Sequence, residues 1–332
     1  MDALFVITIL IVIGALAFDF INGFHDTANA IATSVSTKAL KPRHAIILAA
    51  VMNFVGAMTF TGVAKTITKD IVDPFTLQNG ELVILAALIA AIFWNLLTWY
   101  YGIPSSSSHA IIGSIAGAAI AAAGFTSLNY TGFLKILQAL LFSPIIAFVA
   151  GFIVYSLFKV IFKHNNLTKT NRNFRTFQIF TAALQAYTHG TNDAQKAMGI
   201  ITMALIANGF TTSTDIPFWV QFSCALAMGL GTSVGGWKII KTVGGKIMKI
   251  RPVNGVAADL TGAMIIFGAT YIHLPVSTTH VISSSILGVG ASHRLKGVKW
   301  GTAQRMLITW VITLPISATI AALCYFVLNM IF

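Results

Sequence analysis

The sequence predicts an all-α, polytopic membrane protein built from two repeats of inverted topology. Of its 332 residues, 56% are hydrophobic and only 9% are charged, and the mean hydropathy is +0.83. Soluble domains carry about 25% charged residues, so a water-soluble globule of this size could not hide so much apolar surface. Two further observations, the distribution of basic residues and an internal duplication, lead to the same class.

The basic residues fall into separate clusters along the chain. Lys and Arg concentrate at 38–43, 159–175, 238–251 and 292–305, whereas 125–132 and 207–216 contain none. This alternation is the positive-inside pattern of a multi-spanning protein. It predicts a cell-membrane protein with both termini extracytoplasmic. It also explains the net charge of +12 without a nucleic-acid partner.

The predicted spans are apolar segments near the length of about 20 residues that a membrane helix needs. We expect the first and the sixth of them to be interrupted at polar motifs. The polar stretch 164–176 is predicted to be a cytoplasmic linker between a first repeat at 1–163 and a second, inverted repeat at 177–332. The segments are 3–37, 43–66, 81–101, 104–123, 133–162, 177–206, 217–240, 253–273, 275–291 and 303–331.

The two halves share motifs in the same order. NGFHDTANAI (22–31) aligns with HGTNDAQKAM (189–198), and PSSSSHAIIGSI (104–115) aligns with PVSTTHVISSSI (275–286). The first half begins outside and the second begins inside, so the repeats have opposite topology. Inverted repeats with interrupted helices are typical of secondary transporters. Between these motifs, Gly56, Thr59, Gly62 and Lys65 match Gly229, Thr232, Gly235 and Lys238.

Two pairs of segments, 81–101 with 104–123 and 253–273 with 275–291, are joined by short proline-containing turns without basic residues. Either both members of each pair cross the membrane, or each pair is a re-entrant helical hairpin with its tip at mid-membrane. We favour the hairpin because each tip consists of a proline and small, mostly hydroxyl-bearing residues. Such a composition suits a buried site better than an aqueous loop.

The two tips are the candidate substrate site. A helix that begins at a tip presents unpaired N–H groups and the positive end of its dipole, and its hydroxyls add further donors. Two such ends from opposite repeats suit a tetrahedral oxyanion. The alternative is that the hydroxyls bond within or between their own helices. The candidate residues are Ser105, Ser106, Ser107, Ser108, Ser277, Thr278 and Thr279.

The carboxylates Asp26 and Asp193 occupy equivalent positions in the two polar motifs. Ionisable groups inside a membrane are costly and usually line a pathway. Since an acidic pair does not attract an anion, we expect it to bind the coupling cation. Gly23 and Gly190 are predicted to permit local unwinding there. Oxygen ligands for a hard cation would come from both motifs, and the candidates are Asn22, Asp26, Asn29, Asn192 and Asp193.

The motifs also differ, since Asn29 corresponds to Lys196 and His25 corresponds to Asn192. A lysine three residues after Asp193 can pair with it on one helix face. That ammonium would either fill the cation position of the second half or stand beside the substrate. His25 and His189 are candidates for a proton relay, with a buried, hydrogen-bonded histidine as the simpler interpretation.

GFHDTANAIATSVSTKAL and HGTNDAQKAMGII, together with PSSSSH and PVSTTH, strongly resemble the inorganic phosphate transporter (PiT) family over essentially the whole chain. The resemblance implies a secondary transporter, not an enzyme, that imports phosphate by cation symport through alternating access. It carries the phosphate positions to the hydroxyl clusters and the cation positions to Asp26, Asn29 and Asp193. The compact size resembles the bacterial low-affinity permeases of the family.

The resemblance also bears on the coupling ion. Sodium-coupled relatives tend to show Asn-Asp-x-x-Asn in both halves, and Lys196 departs from that pattern, as do bacterial relatives similar to proton-coupled or metal-phosphate carriers. A proton is therefore favoured, with a sodium ion at Asp26 and Asn29 as the alternative. No cofactor is expected beyond the co-transported ion. The expected partners are the lipid bilayer and phosphate, free or as a metal-phosphate complex, and a homodimer is one assembly to consider.

Three rival functions follow from the same residues. A sulfate permease of the same fold would bind an anion of the same shape, and an anion channel would use the same tips without accumulation. An intramembrane hydrolase using Ser108 and His109 is disfavoured, because adjacent helical residues do not face each other. No elbow-type glycine pattern surrounds that serine either.

Overall fold

The computed structural model describes residues 3–73 and 79–332, which form α-helices joined by short turns. The first two residues of the predicted extracytoplasmic N-terminus lie outside the described residues. The first half contains α1 (Ala3–Ser36), α2 (Pro42–Ala57), α3 (Gly62–Asp70), α4 (Gly80–Tyr101), α5 (Ser107–Ala123) and α6 (Tyr130–Ile161). The second contains α7 (Leu167–Asp193), α8 (Gln195–Ala207), α9 (Phe218–Val234), α10 (Trp237–Gly245), α11 (Pro252–Tyr271), α12 (Thr278–His293) and α13 (Trp300–Ile331).

The described helices include several of membrane length, which confirms the predicted class. Five of them, α1, α4, α6, α11 and α13, are long and apolar enough to cross a membrane. Two bent pairs add up to two more spans if each pair is counted as one. Helix α2 turns by 67° into α3, and helix α9 turns by 74° into α10.

The order of elements repeats, as the duplicated motifs predict. Each half has a motif-bearing helical segment, a bent pair, a two-helix hairpin, a short 3-10 turn and a long helix with an internal proline, at Pro144 in α6 and Pro315 in α13. The halves are interleaved in space, because α5 of the first half packs on α13 while α12 of the second half packs on α6.

The predicted helix interruption is absent from the first motif and present in the second, where α7 ends at Asp193 and α8 begins at Gln195. Helix α1 runs without a break through the motif at 22–31. In the second motif the hydrogen-bonding pattern changes only at Ala194, which keeps helical dihedral angles (φ −64°, ψ −25°). The sharp bends are between α2 and α3 and between α9 and α10. The prediction of unwound backbone at Gly23 and Gly190 is therefore wrong.

The two motif glycines serve close helix crossing instead. A Cβ atom on Gly23 would lie 2.5 Å from the backbone oxygen of Met228 in α9. A Cβ atom on Gly190 would lie 2.2 Å from the backbone oxygen of Asn53 in α2. Each motif helix thus crosses the first helix of the opposite half's bent pair at a point where a side chain does not fit.

These crossings correct the register of the repeat. A Cβ atom on Gly56 would meet the oxygen of Tyr187, and one on Gly231 would meet the oxygen of Phe20. Phe20 and Tyr187 are separated by 167 residues, as the aligned motifs require. Gly56 is therefore equivalent to Gly231 and not to Gly229, and the four matches based on sequence identity in this region are two residues out of step.

The first hairpin ends level with the motif of α1. Leu88 of α4 lies against Gly14, and Thr98 of α4 bonds His25 at 3.1 Å, so the two helices run in the same direction. Helix α1 continues from Asp26 to Ser36, ten residues or about 15 Å further. This geometry favours the re-entrant interpretation over a full crossing by α4 and α5.

The predicted linker 164–176 is mostly helical, because α7 begins at Leu167. The side-chain oxygen of Asn166 accepts hydrogen bonds from the backbone N–H groups of Thr168 and Lys169. Asparagine is among the preferred residues at such an N-terminal cap. The polar composition of this segment therefore belongs to the solvated beginning of a helix. The boundary between the repeats stays a prediction.

Candidate functional site

The structure brings the two predicted carboxylates together. Asp26 on α1 and Asp193 at the end of α7 are 1% and 0% exposed. One carboxylate oxygen from each, with a ring nitrogen of His189, lie within 4.8 Å of one another. Residues separated by 167 positions thus share one buried centre, as the duplication predicts.

Asp26 is held by groups from three elements. Its Oδ1 atom contacts the Nδ1 atom of His25 at 2.7 Å and accepts a hydrogen bond from the Thr279 hydroxyl at 3.2 Å. Its Oδ2 atom accepts a hydrogen bond from the Ser107 hydroxyl at 3.3 Å. Because Ser107 belongs to one hairpin and Thr279 to the other, this carboxylate joins both tips.

Asp193 is held more tightly, by a fixed cation. The Lys196 ammonium donates to its Oδ1 atom at 2.7 Å, and both side chains are fully buried. The Oδ2 atom accepts from the Asn22 amide at 3.3 Å and from the Thr278 hydroxyl at 3.2 Å. Nε2 of His189 lies 3.4 Å from the same oxygen. The predicted pairing of lysine with aspartate is therefore present in this geometry.

The predicted hydroxyls divide into two groups. Ser107, Thr278 and Thr279 face the carboxylates, and Ser107 also lies 3.4 Å from the Lys196 ammonium. Three of the others bond within their own hairpin, and Ser108 bonds across to the tip of the other hairpin. Ser106 and Ser277 cap α5 and α12 by accepting from the N–H groups of His109 and His280, Ser105 donates to the Thr98 hydroxyl, and Ser108 donates to the backbone oxygen of Val276.

The predicted asparagines also divide. Asn29 donates to the Thr279 hydroxyl at 2.9 Å. The side-chain oxygens of Asn22 and Asn29 are buried and have no hydrogen-bond partner among the described residues. Buried polar atoms are nearly always satisfied, so these two oxygens beside Asp26 are suited to a small hard cation or to a protonated group of the substrate.

Asn192 and His25 each form a hydrogen bond to a hairpin. Asn192 donates to the Thr270 hydroxyl at 3.0 Å and accepts from the backbone N–H of Val276 at 3.2 Å. His25, its counterpart in the first motif, contacts the Thr98 hydroxyl at 3.1 Å. His189 lies close to Asp193 and is oriented by Asn53, whose side-chain oxygen is 2.9 Å from its Nδ1 atom.

Sequence reasoning missed Thr98, Thr270 and Asn53 as members of this network. Their signal was weak, since each is a single polar residue in an apolar segment. Asp19 lies outside the aligned motifs and has no role in the predicted site. It is fully buried, one helical turn before Asn22.

The arrangement can hold an anion despite its acids. Hydroxyl donors from two hairpin tips converge with one ammonium, while the helices α5 and α12 begin at the same tips with unpaired N–H groups. When all are ionised, the two carboxylates and one ammonium leave a formal charge of −1. An anion is therefore favoured when a cation or a proton neutralises part of the acidic charge.

Comparisons with known proteins agree with this geometry. A family described as "Phosphate transporter family" matches residues 22–321. The chain is 83% identical over 333 residues, covering 100% of both chains, to a Bacillus subtilis (strain 168) protein described as "Probable low-affinity inorganic phosphate transporter". A Rhizobium meliloti (strain 1021) protein with the same description is 45% identical, covering 96% of this chain and 95% of that one. A solved structure described as "The sodium-dependent phosphate transporter" superposes with a TM-score of 0.92 and 26% identity, covering 98% of this chain and 100% of that one.

Proposed function

The chain belongs to the phosphate transporter family, and from this premise we propose that it imports inorganic phosphate by symport with a proton, through alternating access. The observation that carries the choice of ion is the buried Lys196 ammonium, 2.7 Å from Asp193. In the second motif, this ammonium group stands at the position that Asn29 has in the first motif. An asparagine there would leave room for a mobile cation.

Phosphate is proposed to bind between the hairpin tips. Ser107, Thr278 and Thr279 supply hydroxyl donors, and Lys196 supplies a positive charge 3.4 Å from the Ser107 hydroxyl. Asp26 and Asp193 accept hydrogen bonds from these same hydroxyls in the present conformation. An incoming phosphate would compete for these donors, and it would gain a partner wherever a carboxylate became protonated.

Charge compensation would couple the two fluxes. Two ionised carboxylates repel a neighbouring phosphate ion, because like charges interact strongly in a buried site. A proton on Asp26, which faces His25 at 2.7 Å, removes one of those charges and adds a hydrogen-bond donor. Binding of each partner then favours binding of the other.

Sodium is the alternative coupling ion. The solved relative is described as sodium-dependent, and the unpartnered oxygens of Asn22 and Asn29 are hard ligands of the kind a sodium ion accepts. The fixed ammonium at Asp193 argues against a symmetrical pair of sodium sites.

Location and assembly are part of the same proposal. We place the chain in the cell membrane with both termini extracytoplasmic, on the basis of its basic clusters. Phosphate would be carried free or as a metal-phosphate complex, and a homodimer is the assembly to test.

The test is phosphate uptake into proteoliposomes under separate proton and sodium gradients. We expect an inward proton gradient alone to drive accumulation, and Asp26→Asn to abolish it. Uptake driven by sodium alone would overturn the choice of ion, and full accumulation by Asp26→Asn would overturn the role of that carboxylate. Uphill accumulation also distinguishes the transporter from a channel, and competition by excess sulfate tests the anion.

A further inference from the structure

Asp19 is a buried acid that the proposed site does not use. Its side chain is 0% exposed, and neither carboxylate oxygen has a hydrogen-bond partner among the described residues. An ionised carboxylate in such surroundings is strongly unfavourable. In this conformation the burial of Asp19 therefore favours a neutral, protonated carboxyl group.

Asp19 begins the polar stripe on the inward face of α1. Residues spaced by three or four positions share one helix face, and Asp19 lies two turns, or about 10 Å, before Asp26. The apolar part of this face precedes it and the motif follows it. The buried members of the face are Ile11, Ala15, Asp19, Asn22, Asp26, Asn29 and Thr33.

The facing helix presents further unpartnered polar atoms. Asn95 of α4 is fully buried, and neither its amide nitrogen nor its oxygen has a partner among the described residues. The contacts of Leu88 with Gly14 and of Thr98 with His25 place Asn95 level with Asn22. A strip of unpartnered polar atoms thus extends from Asp19 towards the carboxylate centre.

Asp19 lies close enough to that centre for its charge to interact with the charges there. The charged and titratable groups that act on it from neighbouring helices are Asp193 of α7, Lys196 of α8 and the thiol of Cys224 on α9. His25 and Asp26 follow on its own helix. Asn22, one turn after Asp19, donates its amide to Asp193 at 3.3 Å.

The acid is present in one repeat alone. The position 167 residues later, which the aligned motifs make equivalent, is Ala186, a buried residue of α7. The carboxylates of the phosphate site are duplicated, whereas this one is not. Asp19 is therefore suited to a task that one transport cycle needs once.

We propose that Asp19 is the entry residue for the coupling proton: it takes up the proton on the side of the phosphate site nearer the N-terminal end of α1 and passes it along the polar strip to Asp26. This inference rests on the proposed proton symport. Asp19 gains this proton from the outer solution before phosphate binds, and the proton leaves the site to the cytoplasmic side after phosphate is released there. With Asp19 ionised, three carboxylates and one ammonium give a formal charge of −2 around the site. Protonation reduces this charge to −1 and so favours the incoming anion.

The test compares net accumulation with exchange in proteoliposomes that contain Asp19→Asn. We expect the variant to lose proton-driven accumulation of phosphate down to the level of protein-free liposomes. Exchange of labelled for unlabelled phosphate at equal concentrations requires no net proton movement, and we expect it to be retained. Asp19→Glu, which keeps a titratable group, is expected to restore accumulation with a shifted pH profile.

Asp259→Asn is the matched control, since Asp259 is another buried, unduplicated acid. Its carboxylate accepts hydrogen bonds from Thr33 at 2.6 Å and Thr181 at 3.1 Å, and its variant is expected to accumulate phosphate. Accumulation by Asp19→Asn equal to that of the unaltered chain would overturn the assignment. Loss of exchange together with accumulation would also overturn it, in favour of a structural role.

Two further outcomes separate this inference from the proposed function. Absence of proton-driven accumulation in the unaltered chain contradicts the symport proposal, whatever the variants do. If Asp19→Asn does not reach the membrane, the unaltered protein is treated with dicyclohexylcarbodiimide, which reacts with protonated carboxyl groups in apolar surroundings. Peptide mass spectrometry is expected to find the adduct on Asp19, and modification of other membrane carboxyls without Asp19 would refute the proposal.

Discussion

At the scale of single residues, Lys196 is the side chain on which the site depends most. It is fully buried, and its ammonium group bonds Asp193 at 2.7 Å. A buried ion pair adds little net stability, but removing one partner leaves an uncompensated charge. Lys196 therefore makes it possible for the second motif to keep its carboxylate at membrane depth.

Lys196→Met should destabilise the protein by about 3–5 kcal/mol, because Asp193 would remain buried without its cation. Thermal unfolding of the purified protein in detergent measures the loss. We also expect phosphate to bind more weakly, since the substitution removes the buried ammonium group that lies 3.4 Å from the Ser107 hydroxyl. An unchanged unfolding temperature would contradict the stabilising role assigned to Lys196.

Lys65→Met is the matched control, because Lys65 also pairs with an aspartate, at 2.5 Å from Asp215, but both side chains are largely exposed. The hydrogen bond from Lys65 holds the pKa of Asp215 below its ordinary value. The small contribution of this pair is present above the ordinary carboxyl pKa and is lost as the pH falls through the lowered one. Exposed ion pairs contribute little, so this variant should unfold close to the unaltered protein.

Sequence reasoning identified the residues of the centre more successfully than their individual roles. Asp26, Asp193 and Lys196 were recognisable because charges are rare in membrane segments and because the duplication aligned them. The tasks of the hydroxyls were not recognisable. Whether a serine caps its own helix, as Ser106 does, or faces a carboxylate, as Ser107 does, depends on where the opposite hairpin packs.

At the scale of helices, the closest crossings decide the geometry of the site. Gly23 and Gly190 sit where α1 meets α9 and where α7 meets α2. The sequence-based expectation of unwinding at these glycines was wrong for a physical reason. A glycine within a helix permits either a break or a close contact, and the choice depends on a partner helix that lies far away in sequence.

Gly190→Ala should lower the free energy of unfolding by at least about 1–3 kcal/mol. The reason is that the alanine methyl group would lie 2.2 Å from the backbone oxygen of Asn53. The same displacement would move Asn53, which orients His189, so phosphate uptake should fall as well. Thermal unfolding and uptake assays measure the two effects.

The control for this substitution is Gly268→Ala on α11. A Cβ atom at Gly268 would have no neighbour within 4 Å, and alanine favours a helix over glycine. We expect this variant to be at least as stable as the unaltered protein. Equal stability of the Gly190 and Gly268 variants would contradict the close-crossing interpretation.

At the scale of the whole molecule, the repeats are interleaved. The hairpin helix α5 packs on α13, and its counterpart α12 packs on α6. Basic clusters and repeated motifs were sufficient to predict the number of repeats. They did not predict this exchange of partners, because such contacts join residues roughly 130 to 200 positions apart that carry no pairwise signal in a single sequence.

Neither half should fold alone, since the buried face of each hairpin needs the opposite half. We expect a chain split between residues 163 and 167 to give no stable product when either fragment is expressed separately. Co-expression of both fragments should restore phosphate uptake, because the cut lies in the short turn before α7. A stable, monomeric 1–163 fragment would contradict this expectation.

The bent pairs have a consequence for how the molecule opens. The half-helix α3 holds the second hairpin, where the Thr66 hydroxyl donates to the backbone oxygen of His273 at 2.8 Å. The half-helix α10 holds the first, where Thr242 donates to the oxygen of Gly102 at 3.1 Å. In the orientation proposed from the basic clusters, α10 lies towards the cytoplasm and α3 towards the exterior. Both contacts are formed here and the carboxylate centre is buried. Under the proposed alternating access, breaking one contact at a time would admit phosphate on one side of the membrane and release it on the other.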